Sequence, residues 1–362
     1  MATNLQNLTE KTDSDSSWIH KCITVLFMAS GFFLVLLVYG SGPWQPANWP
    51  PLTEVVEQQQ LDPDRSEDES WKRFIQTRGK NRTVNSRIVF YNRVDKCGSS
   101  SLTTLIKRLV MRNRKFTTSS SEVYFRRYLN DTDQLAVIKK LIKQSKKKPL
   151  IFDRHVYYID FAEFNRSEPI YINLIRHPVQ RFISFFHYLR LDKRYKKATQ
   201  RPKRQWFNKS LNECVISGDP ECAMTDTYLH KGPKGNEVFH PMTSFFCGHE
   251  PVCREFNNRV ALQRALENLE KKYAVVGILE TLDRSLQVFQ AFVPMYFRNA
   301  VKLFGKSPLK SNTNQHEPAT AAVEEELASR LWADIELYRF AEQRLYLQYR
   351  SIGGRVPPGA KF

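Results

Sequence analysis

The sequence predicts an α/β fold in which helices flank a central parallel sheet. Two observations carry this prediction. Short runs rich in β-branched and aromatic residues recur along the chain, and segments with helical spacing of apolar residues follow them. Strands that are apolar on both faces and alternate with helices are typical of parallel sheets, because the crossover helices cover both faces.

The first predicted strand and helix begin the domain. Residues 88–94 form an apolar, β-branched run, a Gly/Ser-rich turn follows, and residues 102–110 have helical spacing. Residues 170–175 repeat the pattern as another strand. Pro178 then suits the first position of a helix that continues to about Leu189.

Two more strands and a carboxyl-terminal helix complete the predicted domain. The strands are residues 150–152 and residues 273–279. Apolar residues near the carboxyl end indicate one long, mostly amphipathic helix. They are Leu327, Leu331, Ile335, Tyr338, Leu345 and Leu347.

A transmembrane segment is predicted ahead of this domain. Residues 22–39 carry no charged side chain, and as a helix they would span roughly 27 Å against a hydrocarbon core of about 30 Å. A cleaved signal peptide is the alternative, with residues 40–42 as a weak cleavage site. Because His20 and Lys21 precede the span and acidic residues follow it, we expect a cytoplasmic amino terminus.

The expected organisation is that of a single-pass type II membrane protein. Residues 1–21 are the cytoplasmic tail, 22–39 the signal anchor, 40–84 a polar stem, 85–350 a lumenal domain and 351–362 a carboxyl-terminal tail. The chain has 41% apolar and 12% aromatic residues, which excludes wholesale disorder and allows a sizeable core.

The net charge favours polyanionic partners. The chain has 55 Lys plus Arg against 37 Asp plus Glu, a formal charge of +18, so nucleic acid, anionic lipid and sulfated glycan all qualify. Basic residues concentrate in residues 139–148 and residues 190–204. Either cluster could equally be a solvated face.

Four cysteines are spaced for local disulfides in an oxidising lumen. Cys214 and Cys222 are one pair, and Cys247 and Cys253 are the other. Zinc binding is the alternative, although neither pair has the two-residue spacing of common zinc sites. N-glycosylation sequons in the expected lumenal part begin at Asn81, Asn130, Asn165 and Asn208.

The loop after the first strand is typical of an anion site. It ends in Lys96, Cys97, Gly98, Ser99, Ser100 and Ser101, which would present backbone N–H groups, hydroxyls, a cation and a helix amino terminus to a phosphate. The Walker pattern is absent because Lys96 precedes Gly98, which disfavours a nucleoside triphosphatase. A serine-capped, solvated turn is the alternative.

The strand at residues 170–175 leads to a second possible anion site. Arg176 follows it directly, and Ser184 lies on the second turn of the next helix, so the two side chains can meet at one anion. The planar guanidinium fork and the hydroxyl suit a phosphate. A buried arginine paired with a carboxylate is the alternative.

Taken together, the two sites resemble those of the uronyl 2-O-sulfotransferases of heparan sulfate and of chondroitin/dermatan sulfate, including the insect Pipe-type enzymes. The resemblance extends from about Ile88 to Tyr349 and includes both cysteine pairs. Other similar stretches are Arg154-His155-Val156, Tyr171-Ile172-Asn173, Phe245-Phe246-Cys247-Gly248, Val276-Gly277 and Gln343-Arg344-Leu345-Tyr346.

The resemblance implies a P-loop-like sulfotransferase fold and the donor 3′-phosphoadenosine 5′-phosphosulfate (PAPS), with adenosine 3′,5′-bisphosphate as the product. Residues 97–101 match the loop around the 5′-phosphosulfate, and Lys96 matches the lysine at the transferring sulfuryl group. Arg176 and Ser184 match the 3′-phosphate ligands. Lys310 is similar in position to a basic residue that closes over the nucleotide.

His155 matches the catalytic base of the family. A sugar hydroxyl is a poor nucleophile, and neutral histidine can accept its proton near neutral pH. Lys96 can stabilise the charge that develops on the leaving phosphate. This scheme requires no metal. By itself, His155 could also be a hydrogen-bonded histidine at a strand end.

The acceptor is expected to be an acidic polysaccharide rather than nucleic acid. Arg93, which has a family counterpart, and Arg190 and Lys196 in the basic segment are the expected contacts with acceptor carboxylate or sulfate. Two positions depart from the family pattern: Asp153 stands where heparan-directed members have a histidine, and His177 replaces an aspartate. The first departure, together with the string from Lys96 to Ser99, which is more similar to the chondroitin/dermatan enzyme, favours chondroitin/dermatan sulfate over heparan sulfate as the acceptor.

Three alternatives remain open at this stage. The protein could act on a glycoprotein glycan in the manner of Pipe, bind glycans without catalysis, or be a membrane-anchored nucleotide kinase. The resemblance also implies a Golgi membrane location, and heparan-directed relatives suggest a trimer.

Overall fold

The computed structural model describes residues 84–121, 126–191, 202–224, 239–306 and 317–355. The predicted cytoplasmic tail and membrane anchor, and the predicted stem except its last residue, lie outside these ranges. Within them, no helix is both long and apolar enough to cross a bilayer. Lys196, Lys310 and Asn81 also lie outside the described residues.

The described residues form a five-stranded parallel sheet, as predicted. Its strand order is β2-β3-β1-β4-β5, and each neighbouring pair is parallel. The strands are β1 Val84–Asn92, β2 Thr117–Ser120, β3 Leu150–Arg154, β4 Glu168–Ile175 and β5 Tyr273–Ile278.

Twelve α-helices lie within the described ranges. Those that flank or extend the sheet are α1 Ser99–Asn113, α2 Asp131–Lys147, α3 Pro178–Leu189, α4 Arg204–Phe207, α5 Leu211–Ile216, α6 Met242–Cys247, α7 Arg259–Lys272, α8 Leu282–Phe292, α9 Pro294–Phe297, α10 Ala300–Lys306, α11 Ala321–Arg330 and α12 Trp332–Ser351. The predicted first and last residues of α3 are both confirmed.

β1 is central because residues 88–91 in its second half are apolar without interruption. Ile88, Val89, Phe90 and Tyr91 are all fully buried. α1 covers the sheet with Leu102, Leu105, Ile106 and Leu109, a spacing that places these side chains on one helical face. Burial on both faces explains why β1 lacks the alternating pattern of a half-exposed strand.

β2 was not predicted, because its sequence is polar. It reads Thr-Thr-Ser-Ser and pairs only with β3, at the edge of the sheet. Backbone hydrogen bonds to a neighbour, rather than hydrophobic burial, define such a strand. A pattern of buried residues therefore cannot reveal it.

The prediction of one long carboxyl-terminal helix was wrong, because the chain forms α11 and α12 with a break at Leu331. Leu327 and Leu331 pack in a smaller cluster with Phe182 and Phe186 of α3, whereas Leu345 packs in the main core. The smaller cluster continues into α12 with Ile335, so the break at Leu331 lies within that cluster.

Both predicted disulfides are present. Cys214 bonds to Cys222 and Cys247 to Cys253, so these thiols are not available as zinc ligands. The first bond closes the turn after α5 within the smaller cluster. The second fastens the end of α6 to the short 3₁₀ helix Pro251–Arg254.

Candidate functional site

Three predicted site residues follow three adjacent strands at one edge of the sheet. Because β3, β1 and β4 are parallel neighbours, their carboxyl ends meet there. His155 follows β3, Lys96 follows β1 and Arg176 follows β4. This edge is where ligands bind in open α/β folds, since the loops after the strands converge at it.

The loop after β1 leaves the amino terminus of α1 open. Lys96 and Gly98 have left-handed backbone conformations, with φ of 62° and 70°. Gly98 caps α1 without a side-chain hydrogen bond, and a Cβ atom there would lie 2.6 Å from Cδ1 of Leu279. Glycine is therefore required by both the conformation and the space. The first N–H groups of α1 remain available for an anion.

Ser99, Ser100 and Ser101 form the first turn of α1. Ser100 is exposed and the other two are half-buried. Cys97 differs, because its side chain is fully buried and burial raises the pKa of its thiol to about 12. Cys97 can thus contribute its backbone to an anion site, while its thiol belongs to the core.

The two predicted anion sites are in direct contact. The backbone N–H of Arg176 lies near enough to the sulfur of Cys97 to oppose the rise in the pKa of that thiol. Nζ of Lys96 lies 3.8 Å from the ring centroid of Tyr188, which is one helical turn after Ser184 on α3. The loop after β1 therefore lies against the residues that carry the second site.

Arg176 and Ser184 are placed to receive a ligand. Both are half-buried. Among the described residues, none forms an ion pair or hydrogen bond with either side chain. The alternative of an arginine neutralised by a carboxylate therefore does not hold for Arg176 within the described part of the chain.

The hydrogen bond of His155 fixes which ring nitrogen can act as a base. Nδ1 lies 3.0 Å from the carbonyl oxygen of Arg93, and a carbonyl can only accept, so Nδ1 carries the hydrogen. The lone pair of the neutral ring is then on Nε2. Burial, together with the positive charge of Arg93, lowers the pKa of His155 to about 4. His155 is therefore neutral at pH 7.

Asp153, which stands where heparan-directed members have a histidine, has a defined structural role. Its carboxylate lies 3.0 Å from Nη1 of Arg93 and also accepts a hydrogen bond from Ser120. Arg93 is only 9% exposed. The aspartate therefore fixes the arginine whose carbonyl orients His155, a role that a neutral histidine would not perform in the same way.

Arg181 is a site-building residue that sequence analysis missed. Its guanidinium is fully buried and donates to the carbonyl and carboxylate oxygens of Asp95 and to the carbonyl oxygen of His240. It also lies 3.6 Å from Asp334 at the start of α12. Burial opposes ionisation of Asp95, yet Arg181 and Arg127 hold the pKa of that carboxyl well below its ordinary value.

Arg181 thus fastens the residue before Lys96 to α3, the helix that carries Ser184. The signal in the sequence was a charged residue on the apolar face of a predicted helix, five residues after Arg176. A charge at such a position is buried only with partners. Its partners are distant in sequence, so only the fold identifies them.

The second departure from the family pattern, His177, packs against the carboxyl-terminal helix. Its ring lies 5.2 Å from that of Tyr338, and its backbone N–H donates to Oε1 of Glu280. Its side chain does not cap α3. The start of α3 is therefore held by a carboxylate that follows β5.

Arg190 lies in a paired environment. Its guanidinium is 2.8 Å from Glu221 and stacks on Phe186 and Trp206. Its side chain is only 5% exposed. This leaves little of Arg190 for contact with a polysaccharide.

A cavity within the described residues lies elsewhere and has the wrong charge for a phosphate. Its volume is about 390 Å³, and it lies beside Gly248. Its lining includes Asp131, Glu163, Glu250 and Glu267. An acidic lining repels polyanions, so this cavity is not a nucleotide site.

The residues at the sheet edge fit a nucleotide that carries two phosphate groups. The open helix start at Gly98 with Lys96 suits one phosphate, and Arg176 with Ser184 suits the other. His155 is joined to the same edge through Arg93 and can accept a proton at Nε2. The arrangement can therefore transfer a group from a nucleotide to a hydroxyl.

Comparison with known proteins agrees with this chemistry. Residues 83–341 match the family described as "Sulfotransferase family". The chain is 37% identical over 281 residues to a uronyl 2-sulfotransferase homolog of Drosophila melanogaster, covering 73% of this chain and 53% of that protein. It therefore spans about half the length of that relative.

Heparan sulfate 2-O-sulfotransferase 1 from vertebrates is also similar. The chain is 31% identical to the Gallus gallus protein over 271 residues, which cover 73% of this chain and 72% of that protein. It is 30% identical to the Homo sapiens protein over the same shares of both chains.

Proposed function

The chain belongs to the sulfotransferase family, and on that premise we propose that it transfers a sulfuryl group from PAPS to the 2-O position of a uronic acid residue in a glycosaminoglycan. The observation that carries this proposal is the contact between the two anion sites. One nucleotide can bridge them only if they adjoin, and the ammonium of Lys96 lies 3.8 Å from the ring centroid of Tyr188, one turn after Ser184 on α3.

The donor supplies an activated sulfuryl group and a bisphosphate leaving group. The chain's own residues do the rest. Backbone N–H groups at residues 98–100 and the ammonium of Lys96 bind the 5′ end and stabilise negative charge there. Arg176 and Ser184 bind the 3′-phosphate. We assign Lys310 to closure over the nucleotide, as in the resembling enzymes.

His155 is the proposed base, and Nε2 is the accepting atom. Nδ1 donates to the carbonyl of Arg93, so the ring is held in the tautomer that leaves Nε2 free to take the hydroxyl proton. A low pKa keeps the ring neutral before the reaction. The hydroxyl therefore meets a base that needs no prior deprotonation.

For the acceptor we favour chondroitin/dermatan sulfate over heparan sulfate. The support is Asp153, which stands in place of a histidine found in heparan-directed members and is engaged by Arg93. Arg93, Lys196 and Arg190 are the proposed acceptor contacts. Arg93 and Arg190 are each paired with a carboxylate, Asp153 and Glu221, so each would have to exchange that partner to contact the acceptor.

A Pipe-like activity on a glycoprotein glycan is the second candidate. The similarity to the Drosophila protein favours it, at 37% identity against 31% for the Gallus gallus enzyme. The same donor site and the same base serve both candidates, so only the acceptor distinguishes them.

We also infer a lumenal Golgi location with a type II anchor at residues 22–39. Two disulfides support an oxidising compartment. Asn130, Asn165 and Asn208 are all exposed, as N-glycosylation requires.

The test is incubation of the full chain with radiolabelled PAPS and separate preparations of chondroitin, dermatan and heparan sulfate, followed by disaccharide analysis. We expect label on the 2-O position of uronic acid, with the highest rate on chondroitin/dermatan sulfate. His155→Ala is the matched control, because it should bind adenosine 3′,5′-bisphosphate without transfer. Binding of the nucleotide with no transfer to any glycan by the wild type would leave only a glycan-binding role.

A further inference from the structure

The exposed face of α2 carries a concentration of lysines. We define the lysine face as Lys139, Lys140, Lys143, Lys146, Lys147 and Lys148, all of which are exposed. At 100° per residue, the five that belong to the helix fall within an arc of about 120°. The opposite side of α2 buries Ile138 and Leu141 in the core, so the helix orientation is fixed.

No acidic residue interrupts this face. The chain has none between Gln134 and Lys148. None of the six lysines forms an ion pair or a hydrogen bond with a side chain in the described part of the chain. Arg87, which is also exposed, is held against the last turn of α2 by a hydrogen bond to the carbonyl of Ser145 and adds a seventh charge.

An ordinary solvated helix face would avoid this pattern. Lys139 and Lys143, and Lys143 and Lys147, are four residues apart, and like charges at that spacing destabilise a helix. The last-turn lysines are compensated, because the carboxyl end of a helix attracts cations. Lys139, Lys140 and Lys143 have no such compensation, so stability of the helix does not account for them.

We propose that the lysine face is a second glycan-binding surface, which holds a sulfated glycosaminoglycan chain outside the catalytic edge. This inference extends the proposed function, since the acceptor proposed there is such a chain. α2 contains no aromatic residue. Single-stranded nucleic acid is usually bound with stacking aromatics, so a glycan fits this surface better.

The position of the surface predicts how it acts. α2 precedes β3 and ends at its amino end, whereas His155 follows the carboxyl end. Five strand residues separate the two edges by about 17 Å. A short acceptor can occupy only the catalytic edge, while a long chain can reach the catalytic edge and the lysine face at the same time. The lysine face should therefore favour long polymers through an increased effective concentration.

The test uses the full chain with Lys139, Lys140 and Lys143 replaced together by glutamine. The matched control replaces Lys107, Arg112 and Lys115 by glutamine. These are three exposed basic residues on or next to α1, so their replacement removes the same charge. Affinity for long chondroitin/dermatan sulfate chains is measured at several salt concentrations. Turnover is measured with long chains and with a short acceptor oligosaccharide.

We expect the α2 variant to bind long chains roughly tenfold more weakly at low salt, with a reduced salt dependence. Its KM for long chains should rise similarly, and turnover of the short acceptor should stay within about twofold. An equal loss in the α1 control, an unchanged affinity, or equally tight binding of single-stranded DNA by the face would overturn the proposal. If no glycan is sulfated at all, the proposed function fails, but the binding comparison still decides this inference.

Discussion

Arg176 and Arg181 lie five residues apart on either side of the start of α3, yet their surroundings are opposite. Arg176 is half-buried and has no partner among the described side chains. Arg181 is fully buried and contacts Asp95, Asp334 and the carbonyl of His240. One belongs to a layer that faces a ligand, and the other to a layer that positions it.

The same division applies to the whole catalytic edge. Lys96, His155 and Ser184 are partly exposed, whereas Asp95 and Cys97, which flank Lys96 in the sequence, are buried. Unpaired charge is tolerated only where water or a ligand can reach it, and buried charge requires partners. We call Lys96, His155, Arg176 and Ser184 the facing layer, and Asp95, Cys97 and Arg181 the positioning layer. Substitutions in the facing layer should therefore change function, and substitutions in the positioning layer should change stability.

The largest effect is expected at His155. His155→Ala should lower turnover by about 10²–10⁴-fold, because the acceptor hydroxyl loses its base. Affinity for adenosine 3′,5′-bisphosphate should stay near that of the wild type, since His155 is not among the proposed phosphate ligands. Steady-state kinetics and calorimetric titration measure the two quantities. Near-normal turnover would remove His155 from the base role.

Arg181→Met should destabilise the fold by about 3–5 kcal/mol, since it leaves the buried carboxylate of Asp95 without its main partner. Chemical denaturation measures the change in the free energy of unfolding. Adding Asp95→Asn to the same chain should restore part of the loss, because only one of the two buried carboxylates beside Arg181, that of Asp334, then lacks its cation. A stable Arg181→Met protein would place Arg181 outside the positioning layer.

Arg176→Ala should weaken nucleotide binding and leave the stability of the fold nearly unchanged. We expect a loss of about 10–100-fold in affinity for adenosine 3′,5′-bisphosphate, the effect of removing a charge-assisted hydrogen bond. The free energy of unfolding should change by less than about 1 kcal/mol, because Arg176 is only half-buried and its side chain has no described partner to lose. Equal destabilisation by Arg176→Ala and Arg181→Met would erase the distinction between the layers.

The smallest effect concerns pH. The pKa of His155 is lowered to about 4 by burial and by Arg93, so the neutral base is retained at mildly acidic pH. The acid limb of the pH profile should therefore lie near pH 4, so kcat/KM should decrease only as the pH drops through that value. Arg93→Gln removes a positive charge and should move the limb upward toward 6.5.

Circular dichroism at each pH controls for unfolding in that experiment. The unfolded state takes up protons on histidine below about pH 6.5, whereas buried histidines in the folded state resist protonation. Stability should therefore decline as the pH falls below 6.5. A wild-type limb at 6.5 in a folded protein would contradict the environment described for His155.

Local patterns were sufficient for much of the fold and for the class of enzyme. The apolar runs predicted the parallel sheet, Pro178 marked the start of α3, and the cysteine spacing indicated both disulfides. The family match confirms the assignment as a sulfotransferase. These features are determined by residues that are close in sequence, or by motifs that directly follow parallel strands and therefore meet at one edge of the sheet.

The tertiary structure decided what depends on distant partners. The strand β2 exists through its pairing with β3, and the two last helices divide their apolar residues between two clusters, with Ile335 in the smaller one and Leu337 in the main core. Arg181 meets Asp95 and Asp334 from opposite ends of the chain. A sequence specifies which groups can ionise, but their energy depends on desolvation and on neighbours that only the folded chain brings together.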